Sequence, residues 1–478
     1  MMNTGKMRSV RSMIAASCVG LGLLAPMATQ AETLADALVG AYNNSGLLDQ
    51  NRAVLRAADE DVAIAKSALK PVLQWTGNLT QSYNRSVSGG GTTPAGFKNS
   101  TDSLTTSVNL VASLLVYDFG SSRYSIEAAK ETVLATRETL VSAEQQILLR
   151  AVDAYMTVIQ TQQLVSLAEN NVRVLTQELR AARDRFEVGE VTRTDVSLAE
   201  AELAAARSNL AGAQGDFISG KAYYKVAVGR EPGRLSPPPS LPKLSNSIAT
   251  AKALAVRQHP DILTVQHQVA AADLLVRSNE TALKPNVSVQ GSYGLTETFD
   301  SQASTRSGSI GFQVGQTIYQ GGALSAGVRK SQAQRDAQRG NLHVVVKDVE
   351  RAVSDAYAGL ASARAQIEAS QRQVRAAQIA FDGIREEASL GARTTLDVLD
   401  AEQSLLDARS ARVSAQSQLY VAAYSVLSAT GQLTAQDLKL PVQIYDPSAY
   451  YNMVKDGPTK YSKEGKQLDR VLKALQKD

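Results

Sequence analysis

Two stretches of this chain repeat one another. Gly189-Glu190-Val191-Thr192-Arg193-Thr194-Asp195-Val196 lines up with Gly391-Ala392-Arg393-Thr394-Thr395-Leu396-Asp397-Val398 at an offset of 202. At the same offset Ala199-Glu200 falls on Ala401-Glu402, Ala206-Arg207 on Ala408-Arg409, Gly229 on Gly431 and Tyr117 on Tyr319. Upstream, Leu69-Lys70-Pro71 matches Leu283-Lys284-Pro285 at an offset of 214. The difference of 12 is a single glycine-rich loop around Gly89 to Pro94. A duplicated chain must build one supersecondary unit twice. Here the unit reads as helix, strand pair, long helix, tight turn, shorter helix.

The helical parts carry a heptad pattern. From Leu342 a 3-4 spacing picks out Val346, Val349, Val353, Ala356, Leu360, Ala363, Ile367, Ser370, Val374, Ala377, Phe381, Ile384 and Ala388. The first half has the same ladder from Leu140 to Phe186, broken mainly at Glu144, and it resumes after the turn from Val196 to Ala227. Sustained 3.5-residue spacing with many alanines predicts closely packed antiparallel coiled coils. A helix over about 121–188 reaches roughly 100 Å at 1.5 Å per residue, whereas its partner over about 194–229 reaches roughly 54 Å. Another helix must make up the length, and residues 261–283 are the candidate. The proline-rich segment Pro232 to Pro242 breaks the helix and predicts a belt of irregular structure midway along the long one.

Four strands alternate apolar and small polar residues, over about 72–87, 103–117, 286–296 and 307–319. Leu73, Trp75, Gly77, Leu79 and Tyr83 oppose Gln74, Thr76, Asn78, Thr80 and Ser82, and the other three follow suit. The polar positions are uncharged, which suits a barrel with lipid outside and water inside better than a solvated sheet face. An open four-stranded sheet leaves backbone groups unpaired in hydrocarbon, so the chain must oligomerise. Two copies give eight strands and a filled interior; three give 12 and a lumen, so a trimer is expected.

The first 31 residues read as a signal peptide. Lys6, Arg8 and Arg11 precede an apolar run from Met13 to Ala25 and small residues ending Thr29-Gln30-Ala31. That order predicts cleavage after Ala31. Ala16-Ser17-Cys18 is a weaker lipoprotein-like alternative. Removing these residues leaves 47 basic against 46 acidic residues, so no bulk charge argues for nucleic acid. Cys18 is the only cysteine, which excludes disulfides and thiolate sites from the mature chain. No nucleophile elbow, phosphate loop or zinc motif occurs, so no enzyme and no cofactor are expected. His259 and His267 stand eight apart and read as surface histidines, not as metal ligands. The glycine-rich stretch from Ser88 to Gly96 reads as an extracellular loop. The lysine-rich tail from Lys455 to Lys477 reads as a flexible extension.

These features together resemble the TolC-type outer-membrane efflux and secretion proteins, over about residues 32–440. The sharpest match is Gly391-Ala392-Arg393-Thr394-Thr395-Leu396-Asp397-Val398-Leu399-Asp400-Ala401, which is similar to the family's periplasmic-tip motif. The resemblance implies an α+β membrane protein: a trimeric 12-stranded β-barrel, four strands per chain, continuing into a long periplasmic coiled-coil barrel. It implies a periplasmic adaptor and an inner-membrane transporter, such as an ABC exporter, as partners. The implied layout is a signal peptide at 1–31, repeats at 32–243 and 244–440, and a periplasmic tail at 441–478. Ile444 to Tyr451 most resembles members serving type I protein secretion. By position, Asp397 and Asp400 resemble the acidic constriction of the closed tip, and Asp195 and Arg393 resemble latch partners between hairpins. One departure stands out: Phe186 precedes Gly189 by three residues, but Ala388 stands in that place before Gly391.

Plainer readings compete. Thr192 with Asp195 and Thr394 with Asp397 each fit a helix capping box, whereas Asp400 lies beyond the cap. A structural envelope protein, merely anchored by a barrel, is the alternative to a transport duct; the small polar lumen face and the paired acidic residues favour the duct.

Overall fold

The computed structural model describes residues 31–88, 97–299 and 304–475. The predicted signal peptide and the glycine-rich stretch from Ser88 to Gly96 lie outside the described residues, apart from Ala31 and Ser88. Ten helices and four strands follow one another among the described residues: α1 (Leu34–Asn43), α2 (Gly46–Ser67), β1 (Val72–Ser88), β2 (Phe97–Tyr117), α3 (Ser121–Glu187), α4 (Arg193–Val228), α5 (Ile248–Gln258), α6 (Pro260–Thr281), β3 (Asn286–Thr298), β4 (Ser304–Gly315), α7 (Ala323–Ser389), α8 (Thr395–Ala429), α9 (Pro447–Val454) and α10 (Lys463–Leu475). No described helix is long and apolar enough to cross a membrane.

The two halves match closely. α3 and α7 are each 67 residues long, and α2 and α6 each 22. A left-handed glycine stands before each long helix, Gly120 (φ 93°) and Gly322 (φ 82°). α4 packs along α3 and α8 along α7, while α6 lies between α3 and α7 beside the sheet-proximal parts of both. The buried ladder Leu175, Leu179 and Ala182 meets Ala199, Leu203 and Ala206, and Phe381 and Ala388 meet Val398, Ala401 and Leu405. Small residues let these helices approach closely, as the alanine-rich heptads imply.

The strands form one antiparallel sheet in the order β1-β2-β3-β4. Its register places Trp75, Leu110 and Tyr293 in one row, and Val289 beside Phe312 in another. One face is therefore mainly apolar, with Trp75 71% and Phe312 81% exposed. The other face carries Asn109, Ser107, Gln290, Ser292 and Ser309 across the same strands, with Val111 as an apolar exception. β4 runs from Ser304 to Gly315, not the 307–319 expected. After Gly315 it lacks a strand partner, and Gln316 instead donates its side-chain amide to the Leu283 carbonyl (3.2 Å).

The segment between α4 and α5 crosses both long helices halfway along. Tyr155 donates to the Ser236 carbonyl (2.7 Å), and its counterpart Tyr357 donates to the Ser245 carbonyl (2.9 Å). Glu32 pairs with Leu235, and its carboxylate accepts from Tyr224, Arg230 and the Gly233 amide. Glu144, the break in the heptad ladder, accepts from the Ala435 amide (2.6 Å). The break thus marks where a second irregular segment docks, and burial raises that carboxyl above its usual range.

The lysine-rich tail, read as a flexible extension, forms a helix over most of its length, and the segment ahead of it is strapped down. Arg52 stacks over both Tyr42 and Tyr445, and Arg137 over Tyr451. Tyr450 donates to Glu60 (2.8 Å), and Arg137 donates to the Pro447 carbonyl (3.4 Å). α9 is thereby strapped against α2 and α3, and the lysines sit on a second helix, α10. Asp59 lies beneath this strap, fully buried, with neither carboxylate oxygen hydrogen-bonded. Burial pushes its carboxyl up to about 6, against the pull of Arg137 and with a push from Glu60.

Candidate gate and hairpin contacts

Both hairpin turns end their long helix in the same way. Glu190 donates its amide to the Arg185 carbonyl and Gly189 to Phe186; Ala392 and Gly391 repeat this on Glu387 and Ala388. These paired bonds need a left-handed residue, and Gly189 (φ 80°) and Gly391 (φ 79°) supply it.

The next helices open with the capping boxes read from the sequence. Thr192 accepts from the Asp195 amide while Asp195 Oδ2 accepts from the Thr192 amide (2.8 Å) and hydroxyl (2.7 Å). Thr394 and Asp397 do the same at 2.9 and 2.8 Å. These bonds to the charged form hold both carboxyls below their usual range, and for Asp397 nearby Arg393 adds to the effect. Asp400, one turn further along α8, is exposed, and its carboxylate makes no hydrogen bond or ion pair within the described protomer. Asp397 and Asp400 therefore share a helix face, but only the second has its whole carboxylate free.

Asp195 and Arg393 line one cavity of 420 Å³ between the two turns, together with Arg185, Glu190 and Thr395. They are not bonded to each other within the protomer. Arg393 Nε instead donates to Glu387 (2.8 Å) in its own hairpin, and Asp195 serves as a cap. Ala388, where the first repeat has an exposed Phe186, is buried against α8.

Contacts between the hairpins lie higher up and were not evident from the sequence. Glu402, buried on α8, accepts from Asn171, buried on α3 (3.5 Å). Desolvation raises this carboxyl, with Asn171 opposing. Arg385 lies 3.6 Å from Glu178, joining α7 to α3. A glutamate among alanines in the α8 ladder was the one available signal; nothing local marks Asn171 as its partner.

Two of the three histidines have structural roles. His259 is buried and caps α6, accepting from the Asp261 amide (3.3 Å), which corrects its reading as a surface residue; burial lowers its pKa. His267 pairs with Glu131 (2.8 Å). Among the described residues no cluster of His, Cys, Asp and Glu is arranged to hold a metal ion.

Known proteins share this architecture and sequence. The family model described as outer membrane efflux protein matches residues 38–220 and 253–432, one stretch in each repeat. The chain is 39% identical to the outer membrane efflux protein BepC of Brucella suis, over 94% of this chain and 96% of the relative. It is 27% identical to the alkaline protease secretion protein AprF of Pseudomonas aeruginosa, over 78% of this chain and 77% of AprF. Among solved structures, the outer membrane protein VceC of Vibrio cholerae superposes with a TM-score of 0.69 at 21% identity, covering 83% of this chain and 96% of VceC. With the duplicated hairpins, the sheet and the family match in agreement, the chain belongs to the outer membrane efflux protein family, a family of outer-membrane channels.

Proposed function

We propose that three copies of this chain close a 12-stranded barrel in the outer membrane, and that their hairpins form the periplasmic tunnel beneath it. The open sheet carries this reading. β1 and β4 are both edge strands, the apolar face is exposed, and edges in hydrocarbon must pair. The duct passes substrate from an inner-membrane transporter, engaged through a periplasmic adaptor at the hairpin tips. Names among the relatives divide between efflux and protease secretion, and the Ile444 to Tyr451 tail leans towards secretion. The layout read from the sequence, with repeats at 32–243 and 244–440 and a periplasmic tail, serves this function. Purified mature protein in detergent should have the mass of three protomers by light scattering with the detergent subtracted. A monomer or dimer would refute the barrel.

The latch is part of this proposal. Arg393 can exchange Glu387 for the Asp195 of the neighbouring hairpin, because both residues border the same cavity. Arg393→Ser should then raise single-channel conductance in planar bilayers, and Arg393→Lys should raise it less. Conductance unchanged in Arg393→Ser would exclude a latch at this position.

A further inference from the structure

The most sharply amphipathic helix of the molecule packs appreciably against a single other element. On α10 the residues Leu468, Val471 and Leu472 fall within about a quarter of the helix circumference at 100° per residue. Lys463, Lys466, Arg470 and Lys473 occupy the opposite side and are exposed. Glu464 and Asp469 reduce the helix's net charge to +2. The apolar face is only half-buried and joins none of the hydrophobic clusters of the protein. α9 is the one element that touches this helix appreciably.

Its position is set by the residues just before it. Lys66 binds Asp456 (3.3 Å), and Lys70 donates to the Asp456 carbonyl. Gly457 follows in a left-handed turn (φ 58°) against the Lys70 ammonium and Ala63. Lys70 stands two residues before β1, so the tail has climbed α2 from the mid-helix belt to the foot of the sheet. Other apolar and basic groups gather at that level: Leu69, Val72 and Leu283 are exposed, and Lys284 lies over the ring of Phe119. Tyr461, 84% exposed, immediately precedes α10. Exposed aromatics and long basic side chains at the end of a membrane segment sit at the level of lipid headgroups.

We infer that α10 is an interfacial anchor, binding the anionic phospholipid surface of the periplasmic leaflet around the foot of the barrel. The apolar face enters the boundary between headgroups and acyl chains, and the four basic side chains reach headgroup phosphates. This rests on the sheet spanning the membrane, as proposed above. A partner of this chemistry accounts for both faces at once: an apolar groove on a protein would satisfy Leu468, Val471 and Leu472 without needing the basic row behind them.

The test uses the full mature chain in vesicles. Leu472→Cys introduces its only thiol, which takes an environment-sensitive fluorophore; Lys466→Cys places the same label on the basic side. Vesicles are phosphatidylcholine alone or with a fraction of phosphatidylglycerol, each with and without nitroxide lipid at the carbonyl depth. With phosphatidylglycerol the Leu472 label should shift to the blue and be quenched by the nitroxide, and the Lys466 label should change little. Each basic residue at a charged surface alters binding by about fivefold. Replacing Lys463, Lys466, Arg470 and Lys473 with Gln should therefore return the Leu472 label to its behaviour in phosphatidylcholine alone. Conductance of the same vesicles reports the barrel separately. If the channels conduct while the Leu472 label stays in water with both lipids, or is shielded only on adding another protein, the anchor is refuted and the barrel stands.

Discussion

The double variant Asp397→Ala, Asp400→Ala is expected to lose the cation preference of the closed channel and its block by trivalent cations. In the proposed trimer the two residues become stacked rings of carboxylates one helical turn apart, and crowded carboxylates concentrate cations. The protomer geometry divides the work between them. Asp397 Oδ2 is engaged by Thr394, which keeps the carboxyl ionised below its usual range but fixes it to the helix start. Asp400 has no such engagement, so Asp400→Ala alone should reproduce most of the double variant's effect. The measurement is the reversal potential under a salt gradient, with trivalent-cation block, for wild type and both variants. Light scattering on the same samples establishes that the trimer persists. A double variant that remains cation-selective and blockable would mean that these aspartates act as helix-start residues only and that the constriction lies elsewhere.

Asp59→Asn should strengthen the attachment of the C-terminal strap at neutral pH and remove much of its pH dependence. Burial pushes the Asp59 carboxyl up to about 6, so its protonated form is the one the fold favours. Its stabilising contribution is complete below the ordinary carboxylate range and is lost as pH rises through about 6. A shift of this size corresponds to about 2–3 kcal/mol between the two limits. The groups facing it are Arg137 from α3, Glu60 on its own helix, and Tyr445 and Tyr450 from the strap. Arg137 opposes the effect, since Asn cannot pair with it. Proteolysis between α9 and α10 should be slower for wild type at pH 5 than at pH 8, and uniformly slow for Asp59→Asn. Other carboxyls, half-buried Glu138 and Glu144 and buried Glu402, shift in the same direction, so the difference between wild type and variant is the quantity to follow. Equal pH dependence in the two would remove Asp59 from the account.

How much of this was readable in advance depended on the range of the interaction. Strand alternation is written in neighbours two apart and coiled coils in neighbours three and four apart, so Trp75, Phe312 and the ladder through Phe381 announce their faces locally. The capping boxes at Thr192 and Thr394 span three residues and were equally plain. The strap was hidden because it rests on Arg52 meeting Tyr42 and Tyr445, residues nearly 400 positions apart along the chain, with no period to reveal them. Composition misled there: lysines taken as a sign of looseness belong to one side of a helix. Asn171 and Glu402 were hidden for the same reason. The candidate gate was legible as chemistry but not as an assembled site, since the proposed rings form between copies of the chain and the proposed latch between hairpins.

Tyr155 and Tyr357 give the tunnel a mechanical property. Both tie the midpoint of a 67-residue helix to one short segment of backbone. Each point can serve as a fulcrum, with the helix below it a lever of roughly 50 Å. A rocking motion of about 5° there carries the far end through about 4 Å at that length, while the part above the pivot stays braced by α2, α6 and the sheet. The tips of the hairpins can therefore travel by distances that matter to a passing molecule, and the strands in the membrane need not register the movement.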